Sequence, residues 1–338
     1  MKISGRLKLV FSLFLCLMIS AALVQCGGGG GGGGTVGPTP TSSTFTVGMN
    51  PVGIEIDSSG NAWVANSGSG TVSVLTPTGL TLNTIQTGST PFAIKIDSSG
   101  NAWVTNYGDN TVSVLTSTGF TLNTIPTGTG PRGIHIDPAG NVWVANHGGG
   151  SGNTVAKFAP NGSSLDTFSA GTGPWGLTHD ISGNTWVTNY GGGGTLNNVV
   201  TKLSTTGMLL DTITVGNGPR SIHVDPSGNL WVTNAGGNTP GTTVTKLSSS
   251  GALLGTFTVG SSPRGGAINL SGQIWVANYF DNKVSVLKPD GSLLNTFAAG
   301  ANPSNIAIDP SGNVWISNNG TNTVTVWTGA STAGFHLY

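Results

Sequence analysis

The sequence predicts an all-β chain folded as a seven-bladed β-propeller of four-stranded antiparallel blades, with the ring closed by the N-terminal strand. Three observations carry this expectation. A unit of the type PRGIHIDPAGNVWVANHGG (Pro131 to Gly149) recurs from Pro51, Pro91, Pro131, Pro174, Pro219, Pro263 and Pro303, and its period of 40 to 45 residues marks a repeat architecture. Each copy reaches a Trp twelve residues later, the first being Trp63 and the last Trp315, which supplies one large apolar residue per repeat for an interface between neighbours. Finally, Thr44 to Gly48 reads TFTVG, identical to the end of the fifth copy at Thr256 to Gly260, while the last copy lacks a clear fourth strand.

Within one copy the local chemistry spells four short strands, A to D. Ile54 and Ile56 stand two apart in strand A, as a strand with distinct faces requires. The DSSG after it has Asp57 and Gly60 at the first and last places of a type I turn, and Pro138, Pro226 and Pro310 fill the second place in other copies. Strand B follows as NAWVAN, then strand C as TVSVL (Thr71 to Leu75) and strand D as TLNTI (Thr81 to Ile85), all rich in β-branched residues. Such a sheet is too small to be stable alone, and radial stacking of seven buries both faces of each. TFTVG is expected to complete blade 7, because an open ring would expose a sheet edge; Phe335 to Tyr338 is the competing candidate for that slot.

Residues 1–25 carry Lys2, Arg6 and Lys8 before an apolar run from Leu9 to Val24, the layout of a secretory signal peptide. Leu23-Val24-Gln25-Cys26 resembles a bacterial lipoprotein cleavage box, although Gln25 stands where a small residue is usual. Residues 26–43 are accordingly expected to be a lipidated Cys26 followed by a Gly/Pro/Ser/Thr-rich tether, and residues 44–338 the propeller. This places the chain in the cell envelope, as an outer-membrane or cell-surface lipoprotein facing the periplasm or the exterior, with the membrane as a partner through the lipid.

Composition fits an exported all-β protein: 56 Gly and only 7% charged residues. Without Lys2, Arg6 and Lys8 the twelve basic residues fall to nine against twelve acidic ones, a balance that argues against nucleic acid as a partner. The mature chain keeps no disulfide, since Cys16 leaves with the signal and Cys26 takes lipid. It is expected to be a monomer held by packing and closure.

The string WVANSGSGTVSVL resembles the YVTN-type repeat of bacterial and archaeal surface propellers, and P-x-G-I-x-I-D-x-x-G-N-x-W resembles NHL repeats and the streptogramin (virginiamycin B) lyase group. Such rings serve as enzymes, binding platforms and nucleic-acid readers, so the resemblance implies a fold more than an activity. For the lyase group it implies His and Glu residues around magnesium, whereas the only Glu here is Glu55. No cofactor is therefore expected; magnesium or calcium enters only under a lyase reading, with Asp residues as substitute ligands.

The repeated aspartates, such as Asp57 and Asp137, read as turn formers, and the Asn three residues beyond each Trp as a loop cap. Four residues after the starting prolines stand Glu55, Lys95, His135 and His223 on the innermost strand, with Glu55 and Lys95 placed to pair. His179 is offset by one and should face the other way, which spoils the convergence of three ligands and leaves no catalytic or metal assignment. The copies diverge on one rim, where the loops between strands B and C lengthen in blades 3, 4 and 5. Arg132, Trp175, Arg220 and Arg264 from the short D–A connections meet His147 and Tyr190 there, with Tyr107 and Tyr279 beside them, and these are the candidate ligand-binding residues. The favoured function is a tethered binding or scaffold propeller for a protein, peptide or glycan, rather than an enzyme; the alternative is a metal-dependent lyase or hydrolase of the streptogramin-lyase or lactonase kind. Exchanging Cys26 for Ser should release the protein from the membrane fraction or stall its processing, which fractionation and immunoblotting would read; unaltered membrane partitioning would remove the lipoprotein assignment.

Overall fold

A carboxylate and an indole define six of the seven blades. In blade 1, strand A (Pro51–Ile56) ends at Asp57, whose Oδ1 accepts the backbone N–H groups of Ser59 and Asn61, both at 2.9 Å. Its Oδ2 accepts Asn61 Nδ2 and, at 3.0 Å, the Nε1–H of Trp63 on strand B (Ala62–Asn66). One side chain thus makes the turn and orients the tryptophan. The same indole bond recurs at Asp97, Asp137, Asp180, Asp225 and Asp309. Blade 6 has Asn269 instead, which keeps the backbone bonds to Ser271 and Gln273 while Trp275 Nε1 stays buried without an acceptor.

The computed structural model describes residues 40–192 and 195–330. They form seven four-stranded antiparallel sheets, each ordered A-B-C-D. The seven tryptophans of the B strands are almost fully buried. The strand B face of one blade packs on the strand A face of the next: Trp63 sits among Ile94, Val104 and Leu115 of blade 2. Around the ring the same contact closes at Trp315, which meets Ile54, Val64 and Leu75 of blade 1. Burying an indole in every interface is what makes blades too small to stand alone cooperative.

The seventh sheet takes its outer strand from the other end of the chain. Thr41–Thr46 pairs antiparallel with Thr323–Thr328, with Phe45 opposite Val324. The pairing begins at Thr41, three residues before the expected start, because Ser42 and Ser43 extend the ladder along Trp327 and Val326. Phe45 lies on Gly79 of blade 1, where φ is +85° and a side chain would collide with its ring. Residues 335–338, the rival for this slot, lie outside the described residues, as do the segment 1–25 expected to be a signal peptide, Cys26 and the glycine tract.

The Asn beyond each Trp does less capping of backbone than expected. Asn66 Nδ2 donates to Thr71 Oγ1 and Ser73 Oγ on strand C, and only in blades 6 and 7 does the Asn oxygen also accept a backbone N–H, from Gly260 and Gly300. Fixed to strand C, these side chains bolt the inner half of a blade to the outer half.

Blades 3, 4 and 5 share a further device. Lys157, Lys202 and Lys246 stand opposite Trp143, Trp186 and Trp231, where blades 1 and 2 have Val74 and Val114. Each ammonium lies 4.5 to 4.7 Å from the indole centre and 3.6 to 3.8 Å from the turn carboxylate. Each also donates to a carbonyl of the following blade, at Thr205, Ser249 and Pro289. Deleting residues 41–48 should lower the melting temperature by at least about 5 °C, since the loss of a strand and its seam removes several kcal/mol and each shifts a large domain by roughly 2 °C; unchanged calorimetric melting would mean that another segment completes blade 7.

Candidate functional site

Strand A of every blade faces the central axis, and a bulge sets the residue after the starting proline. In blade 3 the A–B register slips between Pro131 and Ile134, and the same irregularity recurs in all seven blades. A bulge frees one residue from the ladder and re-aims its side chain. Here that residue is Val52, Phe92, Arg132, Trp175, Arg220, Arg264 or Ser304, and all seven line one mouth of an axial cavity of about 810 Å³.

Five of them assemble with the B–C loop aromatics into a cluster. Trp175 carries two guanidiniums, Arg132 Cζ at 3.8 Å and Arg220 Cζ at 4.4 Å from its ring centre. Arg132 also lies 4.6 Å from the Tyr107 ring and 4.8 Å from Phe92, while Arg220 lies 4.9 Å from Tyr190. Arg264 is held over Tyr279 at 3.1 Å. His147 meets Trp175 edge-on at 5.0 Å and Tyr190 at 6.4 Å. The rim residues singled out in the sequence therefore come together.

The long B–C loops support this cluster by packing on one another. Strand B of blade 4 runs on to Gly192 (Thr185–Gly192), and in blade 3 a 3₁₀ turn spans Gly148–Gly150. Gly150, at φ +101°, presses its backbone against Gly192, so neither position leaves room for a side chain. The glycines in these insertions buy close approach between blades.

Charge in the cluster is poorly compensated. Burial pushes Arg132 down to about 10, with the like charge of Arg220 acting the same way and the Tyr107 phenol opposing it. Burial, reinforced by Arg220, takes Arg264 to about 9. All three remain cationic at neutral pH. The buried Nε of each has no hydrogen-bond partner, nor has either ring nitrogen of His147, which is only 4% exposed. Burial first, then Arg132 and Arg220, hold His147 down to about 3, so it is neutral.

Below the mouth, Lys95 Nζ bonds both Glu55 oxygens at 2.9 and 2.8 Å, as the spacing led one to expect. The histidines need a correction. His179 in blade 4 does point to the face opposite to the one that His135 takes in blade 3, yet opposite faces of adjacent blades confront each other, so the two Nδ1 atoms meet at 2.9 Å. His223 has its Nε2 buried and without a hydrogen-bond partner. Among the described residues no three His, Cys, Asp or Glu side chains gather to hold a metal ion, and the sole Glu is occupied by Lys95. This donor set does not fit magnesium or calcium, and no chemical step is assigned through one.

Burial, aided by Lys95, holds His135 well below its ordinary value, and burial takes His179 and His223 to about 4. These three and His147 are therefore neutral in the folded protein, whereas the unfolded chain takes up their protons below about pH 6.5. Stability is fully present above that pH and is lost as the pH falls toward 4. Thermal melts across this range should show a steady decline, and His147→Gln should flatten it; a melting temperature constant down to pH 4.5 would contradict the neutral assignment.

No protein-family model and no curated protein sequence matches this chain. Solved structures do. A streptogramin B lyase superposes with a TM-score of 0.75 at 18% identity, over 86% of this chain and 97% of the other. Virginiamycin B lyase from Staphylococcus aureus gives 0.75 at 17%, over 86% and 99%, and Kuenenia stuttgartiensis hydrazine synthase gives 0.75 at 18%, over 83% and 96%. The chain is thus a seven-bladed β-propeller with the fold of the streptogramin B lyases.

Proposed function

We propose that this protein is an exported, membrane-tethered binding propeller that seats a protein, peptide or glycan ligand at the channel mouth above blades 3 to 6. The observation that carries the reading is the cluster of Arg132, Arg220 and Arg264, held among aromatic rings with no acidic partner. Buried polar groups are ordinarily satisfied, and unsatisfied ones facing a cavity mark a place where a ligand completes the bonding. The tether rests on the signal-like segment and Cys26.

The lyase or hydrolase alternative has the fold likeness in its favour. Against it stand the engagement of Glu55 by Lys95 and the lack, among the described residues, of three His, Cys, Asp or Glu side chains gathered at one point, because acid–base chemistry needs titratable groups converging on one spot.

A ligand screen followed by hydrogen exchange would test the site. Ligands should protect the D–A connections and B–C loops of blades 3 to 6, and exchanging Arg132, Trp175 and Arg220 together for Ala should abolish binding while the ring still melts cooperatively. Protection of the A–B turns on the other face, or full binding by the triple variant, would refute the mouth as the site.

A further inference from the structure

Every other half-buried cation among the described residues has a carboxylate. Lys95 has Glu55, Lys157 has Asp137, Lys202 has Asp180 and Lys246 has Asp225. Only Lys283 and Lys288, both in the solvent, share with the three arginines the lack of an ion pair. This protein therefore compensates inward charge wherever it is structural. At one mouth it leaves three guanidiniums uncompensated, on blades 3, 5 and 6, close enough for Arg220 to disfavour the charge on both Arg132 and Arg264.

The aromatic rings do not supply the missing charge. They hold the guanidiniums by their faces: both neighbours of Trp175 lie within 4.4 Å of its ring centre, which leaves little of the indole free to stack a sugar. What remains for a ligand are N–H donors. Arg132, Arg220 and Arg264 all line the axial cavity, and the enclosed Nε of each makes no hydrogen bond within the protein. A planar guanidinium fork matches the two oxygens of a carboxylate. Several forks around one opening match several carboxylates.

Resting on the reading of this mouth as the binding site, we propose that its ligand is a polycarboxylate: a compact group presenting two or three carboxylates that are received by Arg132, Arg220 and Arg264 where they line the axial cavity. The aromatic rings act as the scaffold that keeps the arginines in place before the ligand arrives. Binding replaces repulsion among three cations by neutralisation, so affinity falls steeply as salt rises. Ligation also stabilises the ring in proportion to occupancy.

The test uses the purified full chain, titrated calorimetrically with citrate, with acetate as a single carboxylate and pyrophosphate as a multivalent anion of different geometry. Citrate should bind, acetate should bind far more weakly, and added sodium chloride should weaken citrate. Arg132→Gln, Arg220→Gln and Arg264→Gln should each lower citrate affinity by roughly ten- to a hundredfold, the loss expected for a hydrogen bond to a charged group. None should lower the melting temperature of the unliganded protein, because each removes an uncompensated charge. Arg220→Lys keeps the charge and loses the fork, so it should fall between wild type and Arg220→Gln. Failure to bind citrate, wild-type citrate affinity in all three Gln variants, or tighter binding of pyrophosphate would overturn the polycarboxylate. Should one of these occur while a neutral ligand from the screen still protects the mouth, only the ligand class is lost; should citrate protect the A–B turns instead, the mouth itself is lost with it.

Discussion

The bond from each turn aspartate to the indole of its own blade is the interaction on which the rest of the structure depends. A buried indole needs an acceptor for its N–H, and an aspartate in a tight turn needs donors for its oxygens. At Asp180 burial works against the ionised carboxyl, yet the bonds from Trp186, Asn184 and two backbone N–H groups, with Lys202 nearby, outweigh it and keep the group below its usual range. The carboxylate stays charged and the turn, the strand order and the large side chain are fixed together. Because the indole then enters the next blade, a local hydrogen bond decides how neighbouring sheets stack.

Much of this was legible in the sequence. The recurrent Pro, Asp, Gly and Trp define four strands per copy and seven copies, and the misplaced TFTVG announces its partner at the far end. The rim was legible too, since Arg132, Trp175, Arg220 and Arg264 break a repeat that otherwise has no need of them. Less legible was anything depending on which face meets which. His179 and His135 lie on opposite faces of their strands and so look divergent; they touch because blades stack front to back. Lys157 replaces a valine in mid-strand and reads as an exposed variation, whereas its surroundings, the Trp143 ring and Asp137, are assembled only by the fold. The contacts of Arg132 and Arg220 with a single indole likewise required two blades to be placed side by side.

The mouth illustrates a division of labour between stability and readiness. Under the proposed function, arginines already stacked on tyrosine and tryptophan lose little further freedom on ligand binding, so ordering costs are met during folding. The same arrangement keeps like charges close, which weakens the unliganded ring. Blades 3 to 5, which carry most of this load, are the ones reinforced by Lys157, Lys202 and Lys246 bridging to the next blade at the other end of the sheet. Functional strain and its structural support occupy the same arc.

Closure by Thr41–Thr46 also governs the order in which the molecule can be assembled. The residues that join at the seam are separated by up to 287 positions, at the contact of Thr41 with Thr328, so the first strand of the described residues to leave the ribosome is the last to find its sheet. Throughout synthesis it must wait as a lone strand, the state in which chains most readily pair with one another. Its sequence, TSSTFT, suits that wait: hydroxyls surround a single phenylalanine, giving enough β-propensity to zip onto the finished hairpin and too little apolar surface to recruit a second copy. Cooperative locking is thereby postponed until the seventh blade exists, and a prematurely terminated chain carries no sealed ring.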